Sequence, residues 1–153
     1  SKIPCNLSTS PMFPHLKTSD LQLPDSNTPA WDSFGLKPLA SKKCEYRIIA
    51  PFAKQTFNQN LSIPVKDYNF LCLDLQQTGV GMHFCCIQLT VNGSRIENIF
   101  LPISTKFARV EHAVDLKHYS FEPGDLITGV AIFPTYHQPE GTIFFKSLRF
   151  ARK

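Results

Sequence analysis

The sequence predicts an all-β fold: an antiparallel two-sheet β-sandwich, jelly-roll-like, with a proline-rich N-terminal arm. Three observations carry that prediction. Past Lys43 the chain breaks into short apolar runs separated by turn residues, at the spacing of about eight to twelve residues usual in antiparallel sandwiches and barrels. The apolar content leans on thirteen Phe against one Trp and two Met, with β-branched residues between, and such stiff side chains fit a pleated surface. No segment carries a long amphipathic helical stripe. At 153 residues the chain fits one domain, long enough to bury roughly two-thirds of the surface its unfolded form exposes.

Residues 1–38 read as an extended arm, because six of the twelve prolines fall there among Ser, Thr, Asn and Asp without periodicity of 2.0 or 3.6. Its apolar residues are too many for a free tether, so part of the arm is expected to pack, with Trp31 and Phe34 as anchors. Residues 39–153 then form the sandwich. Strands are expected at Glu45 to Ala50, Gln59 to Val65, Phe70 to Gln76, Met82 to Val91, Arg95 to Leu101, Ala108 to Asp115, Leu126 to Phe133 and Thr142 to Phe150. Alternation is clearest in "CCIQLTV", where Cys85, Ile87, Leu89 and Val91 share one side and Cys86, Gln88 and Thr90 the other. Asn92-Gly93 follows, and both residues tolerate the positive φ of a type I′ turn, so "LTVNGSRIENIFLP" is a hairpin. Leu71, Leu73 and Leu75 make a second one-sided set. The segment "KFARVEHAVDLKHY" has a partial helical face but no strong N-cap and several β-branched residues, which predicts a strand followed by a turn. Gly129 inside the strand 126–133 signals a bulge or a close backbone approach.

Composition narrows the partners. Sixteen Lys and Arg against twelve Asp and Glu give a net charge of +4 without the clustered basic footprint of a nucleic-acid binder. No apolar run approaches the length of a membrane span, and no signal-peptide pattern opens the sequence. The five cysteines include no C-x-x-C pair, and Cys85 and Cys86 must point to opposite faces of their strand, so free buried thiols are expected rather than a disulfide framework or a zinc site. Three N-x-S sequons stand at Asn6, Asn60 and Asn92; they matter only on a secretory route, and the compartment is left open.

Almost nothing in the sequence argues for catalysis. It has no G-x-S-x-G, no H-E-x-x-H and no phosphate-cradling glycine loop. The densest polar cluster, Glu111, His112, Asp115, His118 and Tyr119, would converge on a helix but splits between two faces on a strand, so no metal, cofactor or catalytic residue is assigned. Loop aromatics are more informative. A sugar presents a flat apolar face edged with hydroxyls, which calls for an aromatic ring beside amide or imidazole groups on a rigid scaffold. Tyr136, His137 and Gln138, between Pro134 and Gly141, have that chemistry, as do Tyr119 and Trp31.

The closing stretch "GDLITGVAIFPTYHQPEGTIFFKSLRF" resembles the end of galactose-binding-like jelly-roll modules. A Gly-Asp turn at Gly124-Asp125 leads into a strand from Ile127 to Phe133, then a loop, Gly141 and a last strand from Ile143 to Phe150. The resemblance implies a non-catalytic carbohydrate-binding or adhesion module, commonly attached to a larger protein and often holding a structural calcium, although no calcium-loop spacing is present here. The leading expectation is therefore a domain that binds a glycan or another polar ligand through Trp31, Tyr119, Tyr136, His137 and Gln138. Two rivals belong to other classes: a coat-like assembly subunit whose arm docks on a neighbour in a homo-oligomer, and an enzyme with His112 or His118 as base in a sandwich-end cleft.

Overall fold

The structure, a computed structural model, describes residues 17–22, 32–39, 45–58, 60–78, 82–104, 110–134 and 141–152. Trp31, Tyr136, His137 and Gln138, together with Cys5, Cys44 and Asn6, lie outside the described residues.

Two six-stranded antiparallel sheets face each other. In chain order the strands are β1 (Lys17–Gln22), β2 (Asp32–Phe34), β3 (Leu36–Pro38), β4 (Glu45–Ile48), β5 (Lys54–Asn58), β6 (Ile63–Pro64), β7 (Phe70–Thr78), β8 (Met82–Val91), β9 (Arg95–Ser104), β10 (Val110–Asp115), β11 (Leu126–Phe133) and β12 (Thr142–Arg152). The first sheet runs β10-β7-β12-β4-β3, with β1 also on β12; the second runs β2-β5-β11-β8-β9, with β6 also on β11. The long strands β7, β8, β9, β11 and β12 are those with the cleanest alternation. The expected strand at Gln59 to Val65 is replaced by β5 and β6, which share one edge of β11. Pro64 ends that ladder because it brings no N–H to it.

Alternate residues, with one-residue slips in β11 and β12, feed one core between the sheets. Leu71, Leu73, Leu75, Phe145, Leu148 and Phe150 enter from the first sheet, and Ile87, Leu89, Ile99, Ile127, Val130 and Ile132 from the second, all buried. Tyr46 and Phe145 meet edge to face with centroids 6.0 Å apart, a favoured aromatic arrangement. The expected face of β8 is observed: Cys85, Ile87, Leu89 and Val91 are fully buried in the interior. Cys86 is buried too, but on the outer side, and Cys72, Cys85 and Cys86 are free thiols.

Two turns fix the register. Asn92 and Gly93 have φ of 53° and 79°, the positive pair a type I′ turn requires, and the N–H of Ser94 donates to the carbonyl of Val91. Pairing resumes at Val91 with Arg95 and holds in step through Met82 with Ser104. Within the described residues 110–119 the chain divides as expected into strand and turn: Asp115 caps a single 3-10 turn, Leu116–His118, by accepting from the Lys117 N–H. The register slips between Ile127 and Gly129 on β11, at the glycine that signalled a bulge.

Segments of the arm supply edge strands, β1 to the first sheet and β2 to the second, and after Gly35 the chain crosses to the first sheet as β3. Leu36 is buried, whereas Phe34 is 63% exposed. The β2 register turns the Phe34 side chain to the outer face of the second sheet, so it does not pack into the core between the sheets, and of the two expected anchorages, on the sandwich or on a partner, only the second is open to it.

Candidate functional site

The outer face of the second sheet is built by parity. Once the Asn92-Gly93 turn places Cys86 opposite Phe100, and β11 places Phe133 opposite Cys86, those three residues point the same way. On the other side of β11, Ile132 pairs with Gln55, so Lys54 falls opposite Phe133, and β2 sets Phe34 opposite Lys54. The result is one rung, Phe34-Lys54-Phe133-Cys86-Phe100, with a residue from each of the five strands. It spans four interstrand spacings, about 19 Å.

Three aromatic rings sit on that rung at every second strand. Phe34 is 63% and Phe100 52% exposed, and Phe133 is half-buried. The Lys54 ammonium lies 5.5 Å from the centre of the Phe133 ring, a cation–π contact. Cys86 lies beneath this surface, and its thiol donates weakly to Asn98 Oδ1 at 3.7 Å; burial raises its pKa. The next rung, Thr56-Ala131-Gln88-Asn98, is polar at three of its four positions, with Asn98 exposed and Gln88 and Thr56 half-buried. Asp32 holds the register position beside Thr56. Beyond it Thr90 stands opposite an exposed Ile96. An apolar aromatic rung flanked by amides and hydroxyls can stack on a flat ring and hydrogen-bond its substituents.

The sequence-predicted residues distribute unevenly around this face. Tyr119 is partly buried against the main core, and the neighbouring Ser120 carbonyl accepts from Arg95 at the turn end of β9. Arg95 lies five residues along β9 from Phe100, about 17 Å by strand rise, so Tyr119 stands apart from the aromatic rung. Tyr136, His137 and Gln138 follow Phe133 and Pro134 in the sequence and lie outside the described residues. Trp31 directly precedes β2. Phe100, Phe133, Lys54, Gln88 and Asn98 were absent from the sequence-based set. Their signal was the pairing register, since each occupies the off-core parity of its strand.

Other polar clusters are structural. Asp125 accepts from the Asn92 side chain at 2.9 Å, from the Glu122 N–H at 2.8 Å and from Arg95, while Asn92 Oδ1 accepts from the Leu126 N–H at 2.9 Å. These bonds clamp the β8–β9 turn onto the loop before β11 and leave the Asn92 amide engaged. Among the described residues no group of three or more His, Cys, Asp or Glu could hold a metal ion, and no helix is long and apolar enough to cross a membrane.

No protein-family model and no curated protein sequence matches the chain. Solved structures do. A structure described as carbohydrate binding module family 29 aligns with a TM-score of 0.56 at 12% identity, over 89% of this chain and 84% of that one. A module described as CBM28, specific for non-crystalline cellulose, aligns with a TM-score of 0.54 at 12% identity, over 81% of this chain and 89% of that one. PfGH50B aligns with a TM-score of 0.62 at 10% identity over 83% of this chain, which spans only 23% of that protein. The β-sandwich is thus shared with carbohydrate-binding modules at identities too low to carry residue roles.

Proposed function

We propose that this chain is a non-catalytic carbohydrate-binding module that holds a glycan across the strands on the outer face of its second sheet. The observation that carries the reading is the aromatic rung: Phe34, Phe133 and Phe100 project from β2, β11 and β9 on one register line, with Gln88, Asn98 and Thr56 on the line beside it. A solvated phenylalanine gains little by itself, but a row of rings accepts the apolar faces of several sugars, and a rigid sheet loses little entropy on binding. The modules of families 28 and 29 share the fold and support this reading. The likeness to part of the longer PfGH50B supports such a module as one part of a larger protein. Trp31, Tyr136, His137 and Gln138, adjacent in sequence to β2 and β11, are proposed as rim contacts.

The test is binding to a panel of immobilised polysaccharides by the wild type and by Phe133→Ala and Phe100→Ala. Each variant should weaken binding by about tenfold, on the scale of an aromatic contact, while the denaturation midpoint moves little for exposed Phe100. Unchanged glycan binding in both variants overturns the assignment of this face.

A further inference from the structure

Lys54 is the one charged residue on the aromatic rung. β5 places it between Phe34 and Phe133, half-buried, with its ammonium held over the Phe133 ring. Elsewhere the described cations of this sheet's turn have carboxylates: Arg95 pairs with Asp125 and with Glu97. Among the described side chains Lys54 has no carboxylate partner, and its ammonium contacts the Phe133 ring. The nearest acid by register is Asp32, one rung away at the sheet edge. Glu97 sits opposite Leu89, at the parity of the other face. The chain as a whole carries +4, which favours the approach of an anionic polymer.

We infer that the platform is selective for an acidic glycan, one carrying carboxylate or sulfate groups, with Lys54 as the residue that recognises the anion while Phe34, Phe133 and Phe100 stack on the sugar rings. This inference rests on the carbohydrate-binding reading above and adds to it the class of ligand. A charge-assisted N–H···O bond formed beside an aromatic wall is stronger than the same contact in open water, because the ring displaces solvent from one side of the ion pair. Lysine carries an apolar stem below its charge, so this side chain can serve the platform both as a surface and as a charge.

The experiment compares matched polymers that differ only in charge: polygalacturonate against its fully methyl-esterified form, and a sulfated galactan against its desulfated form. Wild type, Lys54→Met, Lys54→Arg and Phe133→Ala are titrated with each at low and at raised salt. Expected for the wild type is a three- to tenfold preference for the charged member of at least one pair, about the range of a partly exposed ion pair, declining with salt. The pair that shows it identifies carboxylate or sulfate. Lys54→Met should abolish the preference while keeping binding to the neutral polymer, and Lys54→Arg should restore it. If the wild type binds neutral and charged members equally, or if Lys54→Met keeps the preference, the inference fails and the platform stands as a neutral-sugar site. If no polymer binds, or binding ignores Phe133→Ala, the assignment of a glycan to this face fails and takes this inference with it.

Discussion

Asp125 is buried, 7% exposed, yet it stays charged because its surroundings are all donors. The Glu122 N–H contributes most to holding its carboxyl below the ordinary carboxylate range, followed by the Asn92 amide, with Arg95 adding its charge against the opposing effect of burial. A carboxyl depressed in the folded state contributes stability that is fully present above its unfolded pKa and is lost as pH falls through the folded value. The loss therefore begins near pH 4, the ordinary aspartate pKa, and deepens below it. Asp125→Asn should be less stable than the wild type at neutral pH, with the gap closing as acid titration passes below about pH 4. Denaturant midpoints of the two proteins across pH 2 to 7 provide the check, and a gap independent of pH would show that the clamp does not depend on ionisation. Asn92 and Asp125 sit in turns that the sequence marks plainly, at Asn-Gly and Gly-Asp. That these turns grip each other across 33 residues of chain was legible only in three dimensions.

At the level of elements, two glycines separate backbone freedom from close packing. Gly93 has φ +79° with nothing within 4 Å of where a Cβ would stand. Gly93→Ala should thus cost only the left-handed backbone penalty, about 1 to 2 kcal/mol. Gly35 has φ +68°, and a Cβ there would lie 2.9 Å from Ala50 Cβ and 3.3 Å from Ala53 Cα. Gly35→Ala adds steric displacement to the same penalty, so its loss of stability should exceed that of Gly93→Ala. It should also shift β2 and with it Phe34, lowering glycan binding, whereas Gly93→Ala leaves binding intact. Equal stability losses in thermal or chemical denaturation would mean that the contact of Gly35 with the β4–β5 loop is soft. The hairpin at Gly93 was readable from two residues. The crossover at Gly35 was not, because its requirement comes from Ala50 and Ala53, which are distant in register and carry no local signal.

Across the whole molecule a single core joins the two sheets, and Leu89 belongs to it, fully buried. Leu89→Ala should lower stability by about 2 to 5 kcal/mol, the range for truncating a packed leucine. Because both sheets contribute to one core, the loss should appear as one cooperative transition, with far-ultraviolet circular dichroism and intrinsic fluorescence shifting together. Separate midpoints for the two probes would show that the sheets unfold independently.

The all-β class, the main strands, the buried face of β8 and the turn that sets the β8–β9 register were legible in the order of residues alone. These depend on period-2 alternation and on turn chemistry, both of which act over a few neighbouring residues. Tertiary structure decided which off-core residues meet. Phe34, Lys54, Phe133, Cys86 and Phe100 are far apart in the chain and individually unremarkable, and they become a single line only when five strands from both ends of the sequence are paired in one register. Pairing across strands is fixed by long-range packing of the opposite face, so the arrangement that makes a binding surface is a consequence of the core and leaves no local trace in the order of amino acids.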